Sequence, residues 1–196
     1  MPATPPRPRP DARPPALVVA FVPGVTPGKW ERIWRERRPP GRLELIPLNQ
    51  DAALEALADG TAHMALVRDT SPDDGRHAIE LYREAPVVVA PKGSLPASLD
   101  SLTRADLASL DDLAVLEVDL LSASGADTIE LVAANVGVAV MPQSVARAHS
   151  RKDVVARPLT DGVETRVSLV WPIVGAHPLV DEFIGIVRGR TANSSR

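Results

Sequence analysis

Polar residues that directly follow apolar runs mark the places where this chain could do chemistry. Thr26 and Gly28 come after the run Ala16–Val22, and Asn49 and Gln50 after Leu43–Leu48. Asp69 and Ser71 come after Met64–Val67. Ser122, Ser124 and Gly125 precede a helical pattern at 129–136, and Gln143 and Ser144 follow Val138–Met141. Except at Asp69 and Ser71, which open a polar loop, a strand gives way to a helix or a helix begins. The first turn of a helix presents unpaired N–H groups and the positive end of its dipole, so such positions favour a small anion such as a carboxylate. Taken singly, Thr26 and Ser124 need do no more than cap their own helices. The anion reading rests on the set converging.

Other chemistries find no residues to carry them. The histidines, His63, His77, His149 and His177, share no i, i+3 or i+4 spacing and no HExxH occurs, so zinc has no ligand set. There is no cysteine, no GxSxG elbow and no Walker phosphate loop. Gly137-Val138-Ala139 lies after a helix and before a strand, the reverse of a dinucleotide fingerprint. The carboxylate pairs Asp73-Asp74 and Asp111-Asp112 fall in turn or helix-end contexts and read as solvated surface. No nucleophile has a base beside it, so neither an enzyme nor a bound cofactor is expected.

The elements that must position the candidates alternate. Ala16–Pro23 is apolar throughout, as a strand buried on both faces would be. Thr26 reads as an N-cap with Pro27 at the first helical position, and Trp30, Ile33 and Trp34 follow at helical spacing until Pro39-Pro40. The two tryptophans fit core packing or an oligomer contact equally. A strand at 43–48, a helix ended by Gly60 and a strand at 64–67 complete a β-α-β-α-β order, which implies a parallel sheet with right-handed crossovers. Strands at 79–82 and 86–90 follow. Thr103 and Asp106 form one capping box, Ser124 and Asp127 a second, and Asn135 can take the left-handed place at a helix end. Strands at 138–141, 154–159 and 166–171 and a last amphipathic helix at 179–187 close the pattern.

The chain has 196 residues, 44% of them hydrophobic and 3% aromatic, so aliphatic side chains build the core. A formal charge of -3 shows no overall basic character for gripping duplex DNA. Seven of the first fifteen residues are proline, a segment expected to stay extended and disordered. No apolar run reaches signal-peptide or membrane-span length, which makes cytoplasmic the expected location.

Several stretches in order resemble the effector-binding domain of LysR-type transcription regulators. They are Phe21-Val22-Pro23-Gly24, the helix ending Arg37-Arg38-Pro39 with Leu43-Glu44-Leu45 after it, and Leu54–Leu66 ending in a strand that closes Leu-Val-Arg. Leu81-Tyr82-Arg83-Glu84 with Pro86–Val89 follows, then Ile129–Pro142, the most specific match. The ending Glu182–Thr191 resembles a short actinobacterial, stand-alone variety. The resemblance implies an α/β, type 2 periplasmic-binding-protein-like fold, two Rossmann-like lobes around a cleft for an organic-acid or amino-acid-like effector. Lobe I would comprise 16–91 plus 166–190 and lobe II 92–165, with 191–196 a frayed tail and crossings near Pro91 and 160–166. Family effector contacts fall at Thr26, Gln50 and Ser124; with the turn positions they give Thr26, Gly28, Asn49, Gln50, Asp69, Ser122, Ser124 and Gln143 as the candidate site.

Two departures stand out. The DNA-binding helix-turn-helix of these regulators is missing, so the chain is not expected to touch DNA itself. Between Val118 and Asp127 a helix and strand of lobe II are missing, which truncates that lobe and leaves a sheet edge to be covered, for instance by a second subunit in a homodimer. The expected function is therefore a ligand-responsive module acting through a dimer or a partner. The rival readings are a protein-interaction remnant with a vestigial cleft, and a solute-binding protein.

Overall fold

A computed structural model of the protein describes residues 16–37, 41–110, 112–121 and 123–189. The proline-rich start, the Pro39-Pro40 stop, Ser122 and the tail from 191 fall outside the described residues. In chain order the first elements are β1 (Leu17–Phe21), α1 (Gly28–Arg37), β2 (Leu43–Pro47), α2 (Gln50–Ala58), β3 (Met64–Arg68) and β4 (Arg76–Glu84). Next come β5 (Pro86–Pro91), α3 (Leu95–Ser98), α4 (Arg104–Ala108), β6 (Ala114–Leu116), α5 (Ala126–Ala133) and β7 (Gly137–Pro142). The chain ends through α6 (Gln143–Ala148), β8 (Val154–Pro158), β9 (Thr165–Pro172) and α7 (Val180–Val187).

These strands form two sheets. The first has the order β2-β1-β3-β9-β4 and the second β6-β7-β5-β8. β1 runs parallel to β2 and β3, as the βαβ pattern requires, while β9 returns antiparallel between β3 and β4. β3 is buried at every position from Met64 to Arg68, with β1 and β9 along its edges, as a central strand covered on both faces is. Around it Leu17, Val19, Leu66, Leu169, Phe183 and Ile186 are fully buried. Trp34 belongs to this core: it is 3% exposed, its ring lies 6.1 Å from that of Phe183, and its Nε1 donates to the Gly41 carbonyl at 3.1 Å.

Two boundaries differ from the sequence reading. β5 pairs with β7 and β8, so it belongs to the second lobe rather than to the first. The first crossing is thus Ala85, between β4 and β5, and not Pro91. β5 is an apolar run buried on both faces, so composition alone gives it no preference for either sheet. At α1 the Pro27 carbonyl accepts from the amides of Trp30 and Glu31, which puts Pro27, not Thr26, in the capping place.

The two sheets share one plan. β6 stands where β1 does, parallel to the strand that corresponds to β3, which is β7. β5 takes the place of β9 and β8 that of β4. Among the described residues the second sheet has no counterpart of β2. Residues 22–49 hold α1 and β2 in the first lobe, whereas residues 117–125 bridge β6 directly to α5.

Candidate functional site

The carboxyl ends of β1 and β3 face the start of α6 across the junction of the lobes. Gly24, at φ 85°, lies so close to α6 that a side chain there would meet Ser144 Oγ at 2.7 Å and the backbone of Ser144 and Val145 at 2.9 Å. Only glycine fits both that backbone angle and that approach. Beside it Arg68, the last residue of β3, reaches in two directions. Its Nε donates to Glu84 Oε2 at 2.8 Å, and its Nη2 donates to Ser144 Oγ at 3.0 Å, linking the lobes. The Arg68 and Glu84 side chains are only 6% and 5% exposed, so each charge depends on the other for solvation lost to burial.

Gln50 completes this network. Its amide donates to the Arg68 carbonyl at 3.0 Å and its Oε1 accepts from the Arg68 amide at 2.8 Å, pairing with the end of β3 as a further strand would. A third contact closes the other side of the junction: the Asp51 amide, in the first turn of α2, donates to the Leu121 carbonyl of the second lobe at 3.0 Å. The α2 N-terminus is therefore capped from across the cleft by the shortened 117–125 loop.

Beside the Gly24 approach to α6 and the two crossings lies a crevice of about 550 Å³. α1 contributes Lys29 and Trp30, with Thr26 just before it. Tyr82–Ala85 and Glu164 come from the crossings, and Gln143, Ser144 and Arg147 from α6. Its acids are accounted for: Glu84 is held by Arg68, and Glu164 lies 4.0 Å from Arg83, which also binds Glu80. Lys29 and Arg147 have no ion-pair partner among the described residues, so the crevice carries an excess of positive charge. Burial, with the charge of Glu84 adding to it, pushes the Tyr82 hydroxyl above its ordinary pKa of 10.0. It stays a neutral donor at physiological pH.

The eight candidates separate. Thr26 and Gln143 line the crevice, and Gly28 follows Thr26 at the start of α1 without lining it. Gln50 sits in the buried network at its edge. Asn49 is a cap, its Oδ1 accepting from the Ala52 amide at 2.8 Å. Asp69, at φ 46°, clamps β9: its amide donates to the Arg166 carbonyl and its Oδ1 accepts from the Arg166 amide at 3.0 Å. Ser124 does not form the expected capping box. Gly125, left-handed at φ 82°, occupies the cap position, and Ser124 Oγ accepts only from the Ala126 amide at 3.3 Å. Ser122 lies outside the described residues.

Lys29 and Arg147 escaped the sequence reading, since exposed-looking cations on helices are usually solvated surface, and Tyr82 escaped it because it lies within a strand, β4, rather than at a turn. Arg68 did leave a signal: it is the one charge closing the apolar run Met64–Val67. No group of three or more His, Asp or Glu among the described residues could hold a metal ion, and no described helix is long and apolar enough to cross a membrane.

The fold and crevice define a two-lobed α/β binding domain of the type 2 periplasmic-binding-protein kind. The chain belongs to the LysR substrate binding domain family, whose model matches residues 28–118 and 112–192. The two matched segments meet at β6, where the second lobe is shortened. Among solved structures it is similar to the BenM effector-binding domain with its effector benzoate, at 16% identity and TM-score 0.71, covering 90% of this chain and 92% of that one. It is likewise similar to the reduced OxyR regulatory domain from Pseudomonas aeruginosa, at 16% identity and TM-score 0.69 over 90% and 96% of the two chains. A Corynebacterium glutamicum OxyR mutant is 20% identical, with TM-score 0.69 over 91% of this chain and 64% of that one. These likenesses establish the fold. No curated protein matches.

Proposed function

We propose that this domain is a non-catalytic, cytoplasmic sensor that binds a small organic anion in the crevice beside its two crossings. The observation that carries the reading is the pairing of an inter-lobe crevice of about 550 Å³ with two cations, Lys29 and Arg147, that face it from opposite lobes with no ion-pair partner among the described residues. That volume lies within the range of small-ligand sites. A carboxylate between Lys29 and Arg147 would bond both lobes, with Thr26, Tyr82 and the Gln143 amide fixing the rest of the molecule. Binding would thereby bias the angle at Ala85 and residues 159–164, and a partner or second copy in a homodimer would read that angle. The benzoate effector of a structural relative makes aromatic and aliphatic carboxylates the first compounds to try.

Thermal-shift titration with benzoate, short dicarboxylates and amino acids tests this. A ligand at one hundred times its Kd adds about 2.7 kcal/mol, which for a domain of this size raises Tm by roughly 5–11 °C. Arg147→Ala and Lys29→Ala should each abolish most of that shift. No stabilisation by any compound at 10 mM would refute the proposal. The Asp51–Leu121 and Arg68–Ser144 contacts favour a second reading, a vestigial cleft held shut by the chain itself. A stable homodimer indifferent to every compound would support that alternative.

A further inference from the structure

Among the described residues the second sheet has no counterpart of β2, and β6 is its outer strand. β6 pairs with β7 alone among the described residues, so one side of its backbone carries unpaired N–H and C=O groups. An open strand edge is a template for another strand. This edge also has an apolar side: Val115 is 50% exposed, and Val136, just before the β7 residue that pairs with Ala114, is equally exposed. β6 is held in place by Gly137, where a Cβ would lie 2.3 Å from the Ala114 carbonyl oxygen. The edge is thus seated against the sheet, and no strand among the described residues covers its far side.

Charge selects the occupant. From Ala105 to Ala146 the sequence holds seven acidic residues and no lysine, arginine or histidine, although the chain as a whole is only -3. Asp112 and Glu117 flank β6 and are exposed. A second copy added antiparallel about Val115 would bring both copies of these acids into one ribbon, and like charges there repel. A strand bearing lysine or arginine between apolar residues would satisfy the backbone, the apolar side chains and the acids together. We infer that the β6 edge is a docking site for a basic, extended segment of another protein, which adds to the second sheet where this chain lacks a strand.

A fluorescein-labelled peptide of alternating valine and lysine is the probe, titrated by anisotropy against the full chain. Saturable binding is expected, weakened at least tenfold by Glu117→Lys and by Val115→Lys. Circular dichroism and Tm of the free variants establish that they fold. N-methylation of alternate peptide amides should weaken binding tenfold or more for one of the two registers, which simple charge attraction would not do. A valine–glutamate peptide should not bind. Three results would overturn the inference: no binding of the basic peptide at 1 mM, equal binding by both folded variants, or equal binding by both N-methylated peptides. A dimer of the unliganded chain that Val115→Lys dissolves would also overturn it, assigning the edge to a second copy.

Discussion

Arg68→Met should cost about 3–5 kcal/mol of folding stability. The guanidinium is 6% exposed, the Glu84 carboxylate beside it 5%, and the two meet at 2.8 Å. Removing the cation leaves a carboxylate buried without its partner, and breaking such a pair costs about that much. The substitution also removes the bond to Ser144 Oγ, so the lobes lose a direct link. For a domain of this size the loss lowers Tm by roughly 6–20 °C, taking about 2–4 °C per kcal/mol. The double variant Arg68→Met with Glu84→Leu should recover most of the loss, since a buried pair replaced by apolar residues of similar volume is often neutral. Urea unfolding of wild type, both single variants and the double variant closes the cycle. A coupling energy below about 1 kcal/mol, or an Arg68→Met protein as stable as wild type, would refute the claim that this pair is a mutually dependent junction between the lobes.

Gly24→Ala should destabilise by at least about 2 kcal/mol, because the left-handed angle is unfavourable for alanine and the new methyl meets backbone of α6 at 2.9 Å. Gly93→Ala, at φ 90° with nothing within 4 Å, is the control and should show the conformational cost alone, about 1 kcal/mol, in the same urea assay. His63 contributes a pH-dependent part of stability. Burial, and then the ring of His177 4.3 Å away, hold its pKa below 6.5, so the unfolded chain takes the proton more readily. Its contribution is complete above about pH 6.5 and declines as pH falls below that value toward the lowered folded pKa. His63→Asn keeps an acceptor for the Val18 amide, now bonded to Nδ1 at 2.9 Å, and should flatten the fall in urea midpoint between pH 7.5 and about 5.5. An unchanged pH slope would assign that dependence elsewhere. Asn49→Ala should cost about 1 kcal/mol as a lost N-cap, while Ser124→Ala should cost a few tenths at most, since Gly125 holds the cap position; equal losses in thermal unfolding would contradict this assignment.

The sequence by itself determined the local grammar of this protein. Apolar runs placed β1, β3 and β5, Gly60 ended α2, the Thr103–Asp106 capping box placed α4, and Asn135 took the left-handed place expected of it at φ 63°. Set against the family it resembles, it also placed the shortening of the second lobe between Val118 and Asp127, where the structure leaves only residues 117–125 between β6 and α5. These features depend on bonds between residues near in sequence, or on counting. Only the tertiary structure decided which turns meet. Thr26 and Gln143 share a crevice while Asn49 caps α2, Asp69 clamps β9 and Ser124 bonds the nearby Ala126 amide, and residues as distant as Arg68 and Ser144 bond directly. A side chain that caps a helix and one that holds a ligand have the same type and the same neighbours in sequence. What separates them is whether another element approaches within hydrogen-bonding distance. The packing of one lobe against the other fixes that, and no local pattern encodes it.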